Sequence, residues 1–288
     1  MQATMAQEKA QEKSPDQKIV SHNVVQLRAK PEGSSERVSQ LRIGQMVTVL
    51  SEEGSWVRVE GEDTYRGWAE ARWFSEVTDT PRTEITAVFA DMRQEPDFSS
   101  PLLLRLPMLA RVHVEERRIN GWVHVMLPGG ALCGWLPEFA LAPLPQPGTS
   151  DIAETAIRIG REFLGTPYLW GGTSAYGLDC SGFVQYCYEY AGILLRRDAD
   201  IQRDDPRFVP VEMDERQPGD LVFFGKNGRI THVGMHFAGD TFIHSAGGPG
   251  VTVTEWGDSH YSPIYVDARR LDPARGSEPL VRFESDTR

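Results

Sequence analysis

The chain has 288 residues, 40% of them hydrophobic, with 41 acidic against 30 basic side chains and a formal net charge of -11. That length gives two or three domains with cores of their own, and that charge excludes the basic face a nucleic-acid partner requires. Three cysteines cannot all pair. Cys180 and Cys187 on one helix would stand about 10 Å apart along its axis, beyond disulfide reach, so free thiols are expected.

Residues 1–18 are rich in Gln, Lys, Glu and Asp, hold no apolar stretch of the signal-peptide kind, and read as a solvated leader. From Ile19 the chain turns to short alternating runs. Gln45 to Leu50, Trp56 to Val59 and Gly67 to Trp73 read as strands separated by Gly, Ser and acidic turns. The pattern then recurs at an offset of about 65 residues: Arg28 and Pro31 match Arg93 and Pro96, Trp56 and Val57 match Trp122 and Val123, and Gly67-Trp68 matches Gly134-Trp135. Two tandem copies of one small barrel are expected, over 19–80 and 81–145. Trp56, Trp68, Trp122 and Trp135 read as core or domain-interface residues, and Cys133 as a small buried hydrophobe. The run Ala142 to Ser150, with Pro143, Pro145, Pro147 and Gly148, reads as a linker.

A third domain follows over 146–275, with a tail over 276–288. Asp151 and Glu154 form a capping box for a helix whose apolar face is Ile152, Ala156, Ile159 and Phe163, stopped by Gly165 and Pro167. A glycine-bearing loop, Pro167-Tyr168-Leu169-Trp170-Gly171-Gly172, leads to Asp179-Cys180-Ser181-Gly182-Phe183. Behind Cys180, the residues Phe183, Val184, Cys187 and Ala191 recur at helical spacing, which puts Cys180 in a first turn. There the macrodipole favours a thiolate. After a polar stretch from Arg196 to Gln217 come strands at Leu221 to Phe224, His232 to Phe237, Thr241 to Ser245, Val251 to Trp256 and Ile264 to Ala268. Helices first and an antiparallel sheet afterwards give an α+β domain, with a thiol on a helix and His232 and His244 on facing strands. His232 and His236, four apart, would suit a zinc pair on a helix, but on a strand they lie about 13 Å apart, so no metal and no other cofactor is expected.

Five of these segments stand in the order and spacing of the NlpC/P60 cysteine peptidases, which this region resembles: Pro167 to Gly172, Asp179 to Phe183, Pro218-Gly219-Asp220-Leu221, Thr231-His232-Val233-Gly234 and Phe242-Ile243-His244-Ser245. Each N-terminal copy, with its Gly-Trp pair, resembles a bacterial SH3-like (SH3b) domain. The resemblance over 19–272 is to the three-domain γ-D-glutamyl-L-diamino acid endopeptidases. It implies two SH3-like β-barrels before a papain-like α+β domain, and cleavage of the bond after γ-D-Glu in murein peptides that carry a free N-terminal L-Ala. It also implies Cys180 as nucleophile, His232 as base, His244 as the residue that orients it, and the Cys180 amide with the Tyr168 hydroxyl as oxyanion donors. Asp179, Ser181, Glu36 and Tyr65 would face the substrate amine, and Ala199 stands where many relatives carry Ser.

The expected partner is therefore a murein tripeptide or related small peptide, with neither nucleic acid nor membrane, and the expected compartment is the cytoplasm, or the cell exterior if a signal peptide has been removed. Two alternatives stay open: a wall-binding hydrolase acting on intact peptidoglycan, and an amidase or acyltransferase on the same fold. The diamino acid after the scissile bond, Lys or diaminopimelate, has no unambiguous reader in the sequence.

Overall fold

A computed structural model describes residues 16–280 except 82, 131, 143 and 145–150. The expected leader before residue 16, most of the linker, and the tail beyond 280 lie outside the described residues. The first sheet has seven antiparallel strands in the order Arg37–Arg42, Val24–Arg28, Arg66–Glu70, Trp56–Glu60, Met46–Glu53, Gln17–Val20, Phe74–Glu76. The second has six, in the order Leu102–Pro107, Phe89–Arg93, Cys133–Pro137, Trp122–Met126, Arg111–Ile119, Thr83–Glu84.

The expectation of two closed barrels is not met, because the edge strands of each sheet do not pair with one another. The reason lies at those edges, where unpaired backbone groups bind other parts of the chain. On Arg37–Arg42, the Gln40 carbonyl accepts from Thr173 Oγ1 at 3.0 Å, and on Leu102–Pro107 the Arg105 carbonyl accepts from Tyr176 Oη at 2.6 Å. One edge of each sheet is thus covered by the C-terminal unit.

Positions that match in sequence make matching contacts in the two sheets. Arg28 Nη1 donates to the Ser35 carbonyl at 2.9 Å, and Arg93 Nη1 donates to the Ser100 carbonyl at 2.8 Å. The Lys30 amide donates to Ser35 Oγ, and the Glu95 amide to Ser100 Oγ. Gly67 and Gly134 occupy matching crevices, where an added Cβ would lie 2.8 Å from Leu27 Cβ and 2.7 Å from the Arg93 carbonyl oxygen. Trp122 and Trp135 are buried and Trp56 and Trp68 half-buried, whereas Cys133 is exposed, against expectation. It points outward on a strand whose alternate residues fill the core.

The third unit packs two helices, α1 (Ile152–Glu162) and α2 (Cys180–Tyr190), on one face of a six-stranded antiparallel sheet. Its strand order is Phe208–Val211, Tyr265–Leu271, Leu221–Lys226, Arg229–His236, Thr241–Ala246, Gly250–Glu255. Asp151 caps α1 by accepting from the Glu154 amide at 3.0 Å. Two elements fall in the stretch that reads as polar: the short helix α3 (Ala199–Arg203) and the strand Phe208–Val211. The core joins Phe163, Phe183, Val184, Tyr186, Met235 and Ile243, and takes in Met108 and Leu109 from the second sheet. Opposite the helices, Phe224, Phe242 and Trp256 form a separate aromatic cluster. Among the described residues no helix is long and apolar enough to cross a membrane.

Candidate active site

Cys180 opens α2, and Asp179 is its cap, accepting from the Gly182 amide at 2.7 Å. Gly182 is required here, since a Cβ would come within 2.1 Å of the Gly172 carbonyl oxygen. The Asp179 carboxylate also accepts from the Gly171 amide at 3.0 Å and from both terminal nitrogens of Arg197, which in turn donates to Ser181 Oγ at 2.8 Å. Arg197 is 2% exposed and Asp179 7%. This buried pair locks the glycine loop, the first turn of α2 and the segment before α3 into one unit. It also fills the Asp179 carboxylate and the Ser181 hydroxyl, both expected to face the substrate amine.

The Cys180 thiol sits against the strand Arg229–His236 and accepts from the Val233 amide and from that of Ser181. Burial pushes it up to about 11, Asp179 adds to the rise, and the two amides and Arg197 oppose it. The helix terminus alone suggested the reverse direction; desolvation outweighs it. Beside the thiol amide lies Val233's neighbour His232, whose Nε2 is 2.7 Å from His244 Nδ1, and His244 Nε2 is 2.9 Å from Thr254 Oγ1. Burial lowers His232 to about 4, with His260 adding, and lowers His244, which is fully buried, to about 3. Both imidazoles are neutral at pH 7.

Tyr168 is half-buried, within electrostatic reach of Cys180, and held by a parallel bridge to Leu178. Tyr261 closes the other side, its ring 5.2 Å from that of His232 and 4.8 Å from that of His244. The first sheet reaches the site through Trp170: Trp170 Nε1 donates to Glu36 Oε1 at 2.7 Å, and Arg37 Nε donates to the Trp170 carbonyl at 2.9 Å. Gly171, at φ 71°, lies so close to Arg37 that a Cβ would be 2.5 Å from its carbonyl oxygen. Tyr65 feels Asp198, Arg197, Asp63 and Asp179.

Sequence reasoning missed four residues of this site. Asp198 begins α3 without bonding its amides, and burial raises its carboxyl to about 6, with Arg197 opposing and Asp200, Asp179 and Asp63 adding. It and Arg197 lie in the Arg197-Asp198-Ala199 run, where attention to Ala199 hid its neighbours. Thr254 shares a sheet face with Phe242 and His244, a relation readable once strands are paired. Tyr261 comes from a loop with no periodic signal.

Residues 165–270 match the NlpC/P60 family, and residues 23–75 match the bacterial SH3 domain. Among curated proteins the chain is 30% identical over 264 residues to a gamma-D-glutamyl-L-lysine dipeptidyl-peptidase of Bacillus cereus, covering 82% of this chain and 75% of that one. It is 29% identical over 262 residues to dipeptidyl-peptidase 6 of Lysinibacillus sphaericus, covering 86% and 93%. A crystal structure of an NlpC/P60 family protein from Bacillus cereus shares the fold, with a TM-score of 0.77 at 24% identity over 88% of this chain and 99% of that one.

Proposed function

The chain belongs to the NlpC/P60 family and is a cysteine peptidase acting on peptidoglycan-derived peptides, and from that premise we propose that it hydrolyses the bond between γ-D-Glu and L-Lys or meso-diaminopimelate in peptides bearing a free N-terminal L-Ala. The observation that carries this reading is Asp198. Its carboxylate has no hydrogen-bond donor among the described residues and is half-buried, partly desolvated within electrostatic reach of Tyr65 of the first sheet, so it is open to a cationic partner. An ammonium group satisfies it, as an N-acylated terminus cannot. Asp179, already paired, serves the geometry of α2 rather than the amine, while Glu36 fixes Trp170 at the rim. The second sheet is proposed as a second copy of the SH3-like module, a reading supported by the matched Arg, Ser and Gly positions.

Cys180, His232 and His244 carry the chemistry in this reading. For His232 to accept a proton at Nδ1, its Nε2 hydrogen must donate to His244 Nδ1, and His244 must then donate from Nε2 to Thr254 Oγ1. Because both thiol and imidazole rest neutral, the proton moves to His232 as Cys180 Sγ attacks the γ-carbonyl carbon. The oxyanion is met by the Cys180 amide, which has no acceptor within its own helix, and by the Tyr168 hydroxyl. His232 then gives its proton to the leaving amine, forming the thioester. Water, deprotonated by His232, attacks that thioester and releases L-Ala-γ-D-Glu.

A peptide with a free carboxylate and ammonium suits recycling of released peptides in the cytoplasm. The test compares kcat/KM for L-Ala-γ-D-Glu-diaminopimelate with its N-acetyl form. A charge-assisted hydrogen bond from the ammonium to the half-buried Asp198 is worth about 1.5–3 kcal/mol, roughly ten- to a hundredfold in favour of the free amine. Comparable values would overturn the free-amine reading and favour intact peptidoglycan as substrate.

A further inference from the structure

We propose that the groove beside the His232 hairpin binds the carboxylate of the leaving diamino acid, through Lys226 and His260; this rests on the peptidase reading above. The hairpin joins Leu221–Lys226 to Arg229–His236 through Asn227 and Gly228, whose φ values of 54° and 76° are those of a tight two-residue turn matched to strand twist. Its register is thereby fixed, with Lys226 opposite Arg229 and Phe224 opposite His232. Between this tip and residues 259–264 lies a groove of about 520 Å³ whose polar lining is Lys226, Asn227, Ser259 and His260. That volume suits an amino-acid residue.

Tyr261 stands between the groove and the base. The His260 ring stands 4.8 Å from that of Tyr261, which stands 5.2 Å from that of His232, and His232 feels the charge of His260. His232 hands its proton to the leaving nitrogen, so that nitrogen departs from hydrogen-bonding distance of the imidazole. In an α-amino acid the carboxylate carbon is two bonds from that nitrogen, about 2.5 Å away. The carboxylate therefore emerges beside His232 as well, and a chain of net charge -11 repels it unless local cations intervene. Lys226 supplies one, and no carboxylate among the described residues pairs with it, whereas Lys18, for example, is bound to Glu76. None of the lining comes from the two N-terminal sheets, of which the first serves the amine end. The substrate is read at its two ends by opposite charges: Asp198 takes the ammonium and Lys226 with His260 the carboxylate.

The test measures kcat/KM for L-Ala-γ-D-Glu-L-Lys and for the same peptide amidated at its C-terminus. For an exposed ion pair the free acid is preferred by about fivefold. Lys226→Ala brings the acid-to-amide ratio close to one, Lys18→Ala leaves it as in the wild type, and 0.5 M NaCl shrinks it. A wild-type ratio near one, or a ratio untouched by Lys226→Ala, overturns the groove assignment while the peptidase reading stands. Cleavage of neither peptide overturns both.

Discussion

The two N-terminal sheets are built alike yet meet the peptidase unit in different ways. The first docks through buried polar groups: Gln40 Oε1 accepts from the Thr173 amide and from Ser174 Oγ, both at 3.0 Å, and Arg42 Nη2 donates to Glu189. The second docks mainly through Met108 and Leu109, 1% and 2% exposed, which enter the peptidase core, beside a buried hydrogen bond from Tyr186 Oη to the Met108 carbonyl and an exposed one from Tyr176 Oη to the Arg105 carbonyl. Polar contacts specify direction and distance, so the first sheet can aim Trp170 and the glycine loop. Apolar burial gives cohesion without direction. The first sheet thus has the contacts to shape the glycine loop, and the second those to hold the peptidase unit up.

The strongest way to break this contrast is Arg197→Ala, which strands the buried Asp179 carboxylate. Removing one partner of a buried pair costs about 3–5 kcal/mol, so the urea midpoint should fall sharply and turnover with it. Asp179→Asn added to that variant should recover part of the loss. Met108→Ala tests the apolar side: about 2–4 kcal/mol of stability should go, with KM for the tripeptide unchanged. A raised KM there would erase the division of labour between the sheets. Gln40→Leu should cost less stability, about 1–3 kcal/mol for the unpaired Thr173 amide, but should raise KM.

Acid titration sharpens the comparison with the smallest effect. Asp198, raised to about 6 from 3.8, binds a proton in the folded chain that the unfolded chain releases, so its contribution to stability is full below about 3.8 and is lost as pH rises through about 6. His232 and His244, lowered from 6.5 to about 4 and about 3, run the other way: their contribution is present above 6.5 and is lost as pH falls through those values. On the proposed function amine binding needs Asp198 ionised, so kcat/KM for the free tripeptide should decline below about pH 6. In Asp198→Asn activity should be lower throughout, and the remaining acid limb should move to about 4. A limb that stays near 6 in that variant would assign it to another group.

Local signals in the sequence were enough for the elements and for the thiol. Helical spacing behind Cys180, the Asp151 cap and the alternating strands through His232 and His244 all depend on neighbours in sequence, and each has its counterpart in the fold. What depends on distant pairing was not legible. The sheets read as barrels because alternation reveals a strand but not whether its edge meets its own sheet or another unit. Cys133 read as buried because its face depends on register. The Cys180 thiol was expected to fall in pKa because the helix terminus is local, whereas the burial that wins is assembled from the sheet, Tyr168 and the first turn of α2. Asp198 and Tyr261 gain their meaning from Tyr65 and His232, which are remote in sequence.

The order in which the site is strung along the chain has a consequence for its birth on the ribosome, which releases the N-terminus first. Glu36 to Arg42 appear earliest, then the Trp170 loop, then Cys180, then His232, and only afterwards His244 and Thr254. A nascent chain therefore displays the Glu36 to Arg42 segment long before Cys180, and carries Cys180 before His232. The thiol waits in a polypeptide that has neither the strand supplying the Val233 amide nor the imidazole chain behind it. The hydrogen-bonded chain behind Cys180 is completed by Thr254 on the edge strand Gly250–Glu255, so a product truncated anywhere upstream of that strand lacks a finished relay.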